Sequence, residues 1–220
     1  MKATLKKWLA ATVCAVMIAA ILAGCSQASS FDPKVLLQGN LDAQYLNKYS
    51  DEYLNSIVNT KEELEEAYAN GLDYEADYFI EYFGIEIDKC DDSIKTEITD
   101  MYKEIYGYAK YEVGEVTKSD DTYLVSLTIY PIDIVQKIVD EDWEAFSASW
   151  QADDTLYDMT EEEFETTWAE SVIELFKARI DTIGYLDPET ISVQIVKDDD
   201  GVYTISENDF QRIDSLIIQY

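Results

Sequence analysis

Few residues in this chain could do chemistry. The sequence has no histidine, 46 Asp and Glu, 17 Tyr and three cysteines. Without an imidazole, Ser-His-Asp and Cys-His catalysis, histidine general bases and histidine-ligated zinc are excluded. No glycine-rich phosphate loop or dinucleotide fingerprint occurs. Two positioned carboxylates suffice for glycoside hydrolysis, but among 46 acids the spacing singles out no pair. No catalytic residue is assigned, and the balance leans against an enzyme. The acidic turn Asp198-Asp199-Asp200-Gly201 invites a calcium reading. Placing Gly201 sixth in a calcium loop puts Val196, which has no side-chain oxygen, at the first ligand position. Asp-Gly suits the positive φ of a tight hairpin turn instead, so no metal and no cofactor is expected.

The aromatic residues are more distinctive. Tyr74, Tyr78 and Tyr82 recur at helical spacing beside a parallel stripe of Asp73, Asp77 and Glu81. Such a face can take sugar rings or cationic groups and is the candidate binding surface. The competing expectation is ordinary packing, with Tyr at the core boundary, its hydroxyl wet, and Trp filling the core. Residue type alone favours packing. Cys90, between Lys89 and Asp91-Asp92, is an inert thiol on this reading, since acidic neighbours disfavour the thiolate.

Cys25 is different. Lys2, Lys6 and Lys7 precede an uncharged run from Trp8 to Ala23, the order of a secretory signal. The run is shorter than the ~20 residues that span a bilayer. It ends in Leu22-Ala23-Gly24-Cys25, which resembles the bacterial lipobox. That resemblance implies cleavage between Gly24 and Cys25, a diacylglycerol on the Cys25 thiol, and a further acyl chain such as palmitate on the new amino terminus. Two or more acyl chains hold a protein stably at a membrane. The expected organisation is a signal peptide over 1–24, a lipidated tether over 25–31 and a single α+β domain over 32–220. The expected location is the extracytoplasmic face of the cell membrane.

Removing residues 1–24 takes three of the 16 basic residues and none of the acidic ones. The remaining 196 residues hold 13 Lys and Arg against 46 Asp and Glu, a formal charge of −33. This argues against nucleic acid as a partner, because nucleic-acid binding neutralises phosphates with basic patches. At 47% hydrophobic residues the chain is a folded domain and not an acidic tail. Cys90 is alone once Cys14 leaves and Cys25 is lipidated, so stability must come from the core.

The elements that must position these residues follow from periodicity. Asp32-Pro33 opens a helix; Thr60 to Glu63 and Thr160 to Glu163 read as capping boxes for two longer ones, ending near Phe83 and Ile180. A helix through Ile94 to Ile105 precedes a hairpin, Tyr111 to Val116 and Tyr123 to Ile129. One helix then runs from Val135 through Trp143 to Phe146. A second hairpin, Ile191 to Ile195 and Val202 to Ile205, is followed by a helix to Tyr220. The two hairpins, each flanked by helices, suggest a duplicated unit. They should join in one four-stranded antiparallel sheet covered by amphipathic helices.

That element order is similar to the cystatin-like and NTF2-like superfolds. The whole mature chain, chiefly Glu62 to Phe83 with Gly71-Leu72-Asp73, also resembles uncharacterised lipoproteins of Gram-positive gut Clostridia. The expected role is a non-enzymatic binding or interaction module of the cell envelope. It would be joined to the membrane through the lipid on Cys25 and face an unknown envelope or extracellular partner. A carboxylate-only envelope enzyme acting on glycans is the alternative.

Overall fold

The computed structural model of the protein describes residues 21–22, 31–198 and 201–220. Gly24 and Cys25, the rest of the leader apart from Ile21 and Leu22, the rest of the tether apart from Phe31, and the turn residues Asp199 and Asp200 lie outside the described residues. The described chain gathers into two compact units. The first takes residues up to Gly71, Ala109–Pro131 and Asp187–Ile217; the second takes Leu72–Tyr108, Ile132–Leu186 and Ile218–Tyr220.

The first unit holds the sheet. Strands β2 (Lys110–Ser119), β3 (Thr122–Tyr130), β4 (Glu189–Lys197) and β5 (Val202–Ile205) are antiparallel throughout. A two-residue strand, β1 (Ile21–Leu22), pairs with Tyr203 and Val202 on the outer side of β5, giving the order β1-β5-β4-β3-β2. β1 lies within the segment read as the signal peptide. In β3 and β4 alternate residues point inward: Val125, Leu127 and Ile129 of β3 and Ile191, Val193 and Ile195 of β4 are all buried. That apolar face is covered by α1 (Pro33–Leu46) and α8 (Glu207–Ile217), which bury Leu36, Leu37, Leu41, Phe210 and Ile213. The face is therefore filled with side chains. The edge strand β2 carries a bulge between Val113 and Val116 and no fully buried residue. A bulged, charged edge discourages pairing with further strands.

α1 begins where the sequence places it: the Asp32 carboxylate accepts from the Lys34 amide at 2.8 Å and Pro33 occupies the first turn. It ends at Asn47, whose φ of 52° is left-handed. Inside α1, Gly39 lies against the ring of Tyr53 in the short helix α2 (Asp51–Leu54). A Cβ at Gly39 would stand 2.7 Å from Tyr53 Cε2 and closer still to Cγ and Cδ2. α3 (Lys61–Phe83) starts with the expected capping box. Glu63 Oε2 accepts from the Thr60 amide at 2.8 Å, and Thr60 Oγ1 from the Glu63 amide at 3.2 Å.

The second unit is helical: the second half of α3, α4 (Ile94–Tyr106), α5 (Ile134–Lys137), α6 (Trp143–Gln151) and α7 (Glu161–Ile180). Leu72, Ala76, Phe79, Ile80 and Phe83 form the buried stripe of α3 here. Phe79 is its hub, with ring centroids 4.6 Å from Phe83, 5.1 Å from Phe176 and 6.0 Å from Tyr102. α7 carries the second capping box, Thr160 with Glu163.

Three expectations are corrected. The helix from Val135 through Trp143 is interrupted: Ile138–Asp142 forms a π-type turn between α5 and α6. The wider turn sets Asp142 in the fork of Arg179, Nε to Oδ2 at 2.6 Å and the second arm at 2.5 Å, with Glu141 3.0 Å from the guanidinium. The last helix stops at Ile217 and does not reach Tyr220, because Ile218 pairs in parallel with Ile132. The aromatic types are also exchanged. Tyr45, Tyr53 and Tyr102 are fully buried, whereas Trp143, Trp150 and Trp168 are half-buried in a cluster of their own.

Candidate functional site

α3 sets the candidate residues on adjacent lines of one helix surface, as a 3.6-residue repeat requires. Asp73 and Asp77 are exposed, Tyr74 and Tyr78 half-buried, and Tyr82 47% exposed. The Tyr78 and Tyr82 rings stack with centroids 6.2 Å apart. The fold adds a third ring: Tyr220 meets Tyr78 edge-on at 4.7 Å and Tyr82 at 5.2 Å. The Tyr220 hydroxyl is hydrogen-bonded to that of Tyr102. Burial pushes both of these phenols well above their usual pKa, so both stay protonated. Tyr78 is also raised, by burial first and then by Tyr82, Glu75 and Glu81.

The acidic line is already engaged. Lys95, at the start of α4, bridges Asp73 at 3.0 Å and Asp77 at 2.8 Å. Burial works to lower the Lys95 pKa, and the hydrogen bonds to Asp77 and Asp73 outweigh it. A cationic ligand would have to displace this ammonium. Among the described residues no ammonium lies over the three-ring cluster, so the surface suits stacking of an apolar ring face better than capture of a cation. Lys95 and Tyr220 are the residues that sequence reading missed. Both reach α3 through tertiary packing, and no local spacing announces them.

A second feature lies in the sheet unit. A cavity of about 320 Å³ is lined by Lys34, Gln38 and Asp42 on successive turns of α1, with Gly39, Ser50, Glu52 and Val113. Asp42 Oδ1 accepts hydrogen bonds from Gln38 Nε2 at 2.9 Å and from the Tyr111 hydroxyl at 2.7 Å. Burial, with the Asp42 charge behind it, drives the Tyr111 phenol far above its usual pKa. The cavity presents a mixed set of donors and acceptors and two carboxylates. Its only sequence signal is the polar repeat at 34, 38 and 42.

Cys90 is half-buried, and burial followed by Glu165 and Asp91 raises its pKa, which keeps it a thiol. Among the described residues no helix is long and apolar enough to cross a membrane.

The fold and these surfaces define an α+β protein in which an antiparallel sheet is covered by helices on its apolar face. No family model matches the chain, and no curated protein matches it by sequence. Among solved structures, the Bacillus subtilis protein named "putative lipoprotein (ycdA)" resembles it, with a TM-score of 0.56 at 14% identity. The match covers 84% of this chain and 55% of that one, so this chain spans about half the length of its structural neighbour. At this identity the likeness is one of fold.

Proposed function

We propose that this protein is a lipid-anchored envelope protein that works by binding and not by catalysis. The observation that carries the reading is Leu22-Ala23-Gly24-Cys25 behind a charged and then apolar leader. The fold shared with a chain named as a lipoprotein supports it. In this reading Cys25 carries the acyl chains, and residues 1–24 are removed at the Gly24–Cys25 bond. The folded part then works on the extracytoplasmic face of the membrane.

The binding surface is the Tyr78–Tyr82–Tyr220 cluster, with Tyr74, Asp73 and Asp77 beside it on α3, and the ligand is a sugar ring of an envelope glycan. Cys25→Ala abolishes partition into the detergent phase, and unchanged partition overturns the anchor. Tyr82→Ala lowers co-sedimentation with insoluble peptidoglycan several-fold; unchanged co-sedimentation overturns the surface. The two carboxylates at the α1 cavity support a second reading, a glycan hydrolase using Asp42 and Glu52. That reading requires release of soluble sugar from the same glycan and its loss in Glu52→Gln. The binding reading requires no release from either chain.

A further inference from the structure

Phe31 is the last residue of the tether and its one described residue, and it is held in place. Its ring stacks on Tyr203 with centroids 4.1 Å apart and planes within 9°, and meets Tyr123 at 5.1 Å. Tyr123 and Tyr203 touch each other at 5.5 Å. Each sits one residue inside its strand, Tyr123 at the start of β3 and Tyr203 at the start of β5. Lys118 lies over the Tyr123 ring at 5.0 Å and Lys197 over the Tyr203 ring at 5.6 Å. Because Thr122 pairs with Val196, both hairpin turns lie at one end of the sheet. Phe31 therefore fastens the tether to the hairpin end.

α1 leads away from that end. Eleven residues after Phe31, Asp42 accepts from Tyr111, near the start of β2 and hence towards the opposite end of the sheet. The strand between the ends is long: the eight steps from Thr122 to Tyr130 in β3 cover about 27 Å. The tether is short. The six steps from Cys25 to Phe31 cannot span more than about 22 Å in any conformation.

From these lengths, and resting on the lipid anchor proposed above, we infer that the hairpin end of the sheet faces the phospholipid headgroups and the Lys110–Tyr130–Glu189 end faces away. The hairpin end rides close to the bilayer without adhering to anionic lipid. Asp120, Asp121 and Asp198 flank the two lysines there, and like charge opposes contact with an anionic surface.

The test uses the full lipidated chain in phosphatidylcholine vesicles that carry a nickel-chelating lipid. In a Cys90→Ala background, a nitroxide is placed at exposed Ser119→Cys on the hairpin end or at exposed Glu189→Cys on the other. Collisional relaxation by headgroup nickel should be at least threefold stronger at 119 than at 189. Phe31→Ala should bring the two sites to within a factor of about 1.5, since it removes the clasp and leaves the lipid. Equal or reversed relaxation on a chain that floats with the vesicles overturns the orientation alone. A chain that fails to float refutes the anchor, and the orientation falls with it.

Discussion

Gly39→Ala separates two rules that usually agree. Gly39 lies in the interior of α1, where alanine is favoured over glycine by about 1 kcal/mol on helix propensity. Against that stands the Tyr53 ring, 0% exposed, with Cε2 2.7 Å from the new methyl and two ring carbons nearer. Carbon atoms in contact prefer about 3.5–4.0 Å, so a fully enclosed ring must move by an ångström or more. Overpacking of this kind costs about 1–3 kcal/mol, and a ring with no free side puts the cost at the upper end. The net expectation is a loss of about 2 kcal/mol, or roughly 4–8 °C in melting temperature for a chain of this size. Gly71→Ala is the control, since its methyl meets the Gln44 amide at the end of a side chain, with Nε2 3.0 Å and Cδ 3.9 Å away. It should be neutral or stabilising by up to about 1 kcal/mol. The assay is thermal unfolding by far-UV circular dichroism of a chain lacking residues 1–25. Tyr53→Ala in the same series removes Cγ, Cδ2 and Cε2 together and should cancel most of the Gly39→Ala penalty in a double-mutant cycle, a coupling of about 2 kcal/mol. A Gly39→Ala chain that melts at or above the parent, or a cycle without coupling, refutes the packing argument.

Two further predictions concern pH. The Arg179 fork holds the Asp142 carboxyl below its usual pKa, so this pair stabilises the fold above about pH 4. The contribution is lost as pH falls through the lowered value. Arg179→Met should therefore melt below the parent at neutral pH, and the gap should close by about pH 2. Asp214 runs the other way: burial raises its carboxyl, although the Tyr45 hydroxyl donates to it at 3.1 Å and pulls it down. Its neutral form suits the fold, so its contribution is complete below about pH 4 and is lost as pH rises through the raised value. Asp214→Asn should raise the melting temperature at pH 7, with no advantage left at about pH 3. A gain that persists in acid would refute the assignment.

Much of the backbone was legible because its signals are local. Asp32-Pro33, the Thr60 and Thr160 boxes and the change from helical to alternating period each act within a few residues. The π-type turn at Ile138–Asp142 was not legible, since its partner Arg179 lies 37 residues away. The buried tyrosines escaped for a related reason: Tyr53 is enclosed by a glycine on another helix. At the candidate surface, the spacing of Tyr78 and Tyr82 was sound. The pattern could not say that Lys95 already holds Asp73 and Asp77, or that Tyr220 folds back beside the rings.

The tryptophan cluster has an optical consequence. The sequence has four Trp, and only Trp8 lies outside this cluster, in the leader. Trp143, Trp150 and Trp168 all belong to the helical unit, and Trp168 lies 6.3 Å from Trp143 and 5.1 Å from Trp150. Indoles this close exchange excitation, so emission from a chain without its leader reports a single locus. The sheet unit would then contain no indole and contribute tyrosine alone. Indole emission therefore watches the helical unit alone, whereas far-UV ellipticity recorded on the same heated sample sums both units. If their midpoints coincide, the two units melt together; if they separate, the difference measures how much stability each unit holds alone.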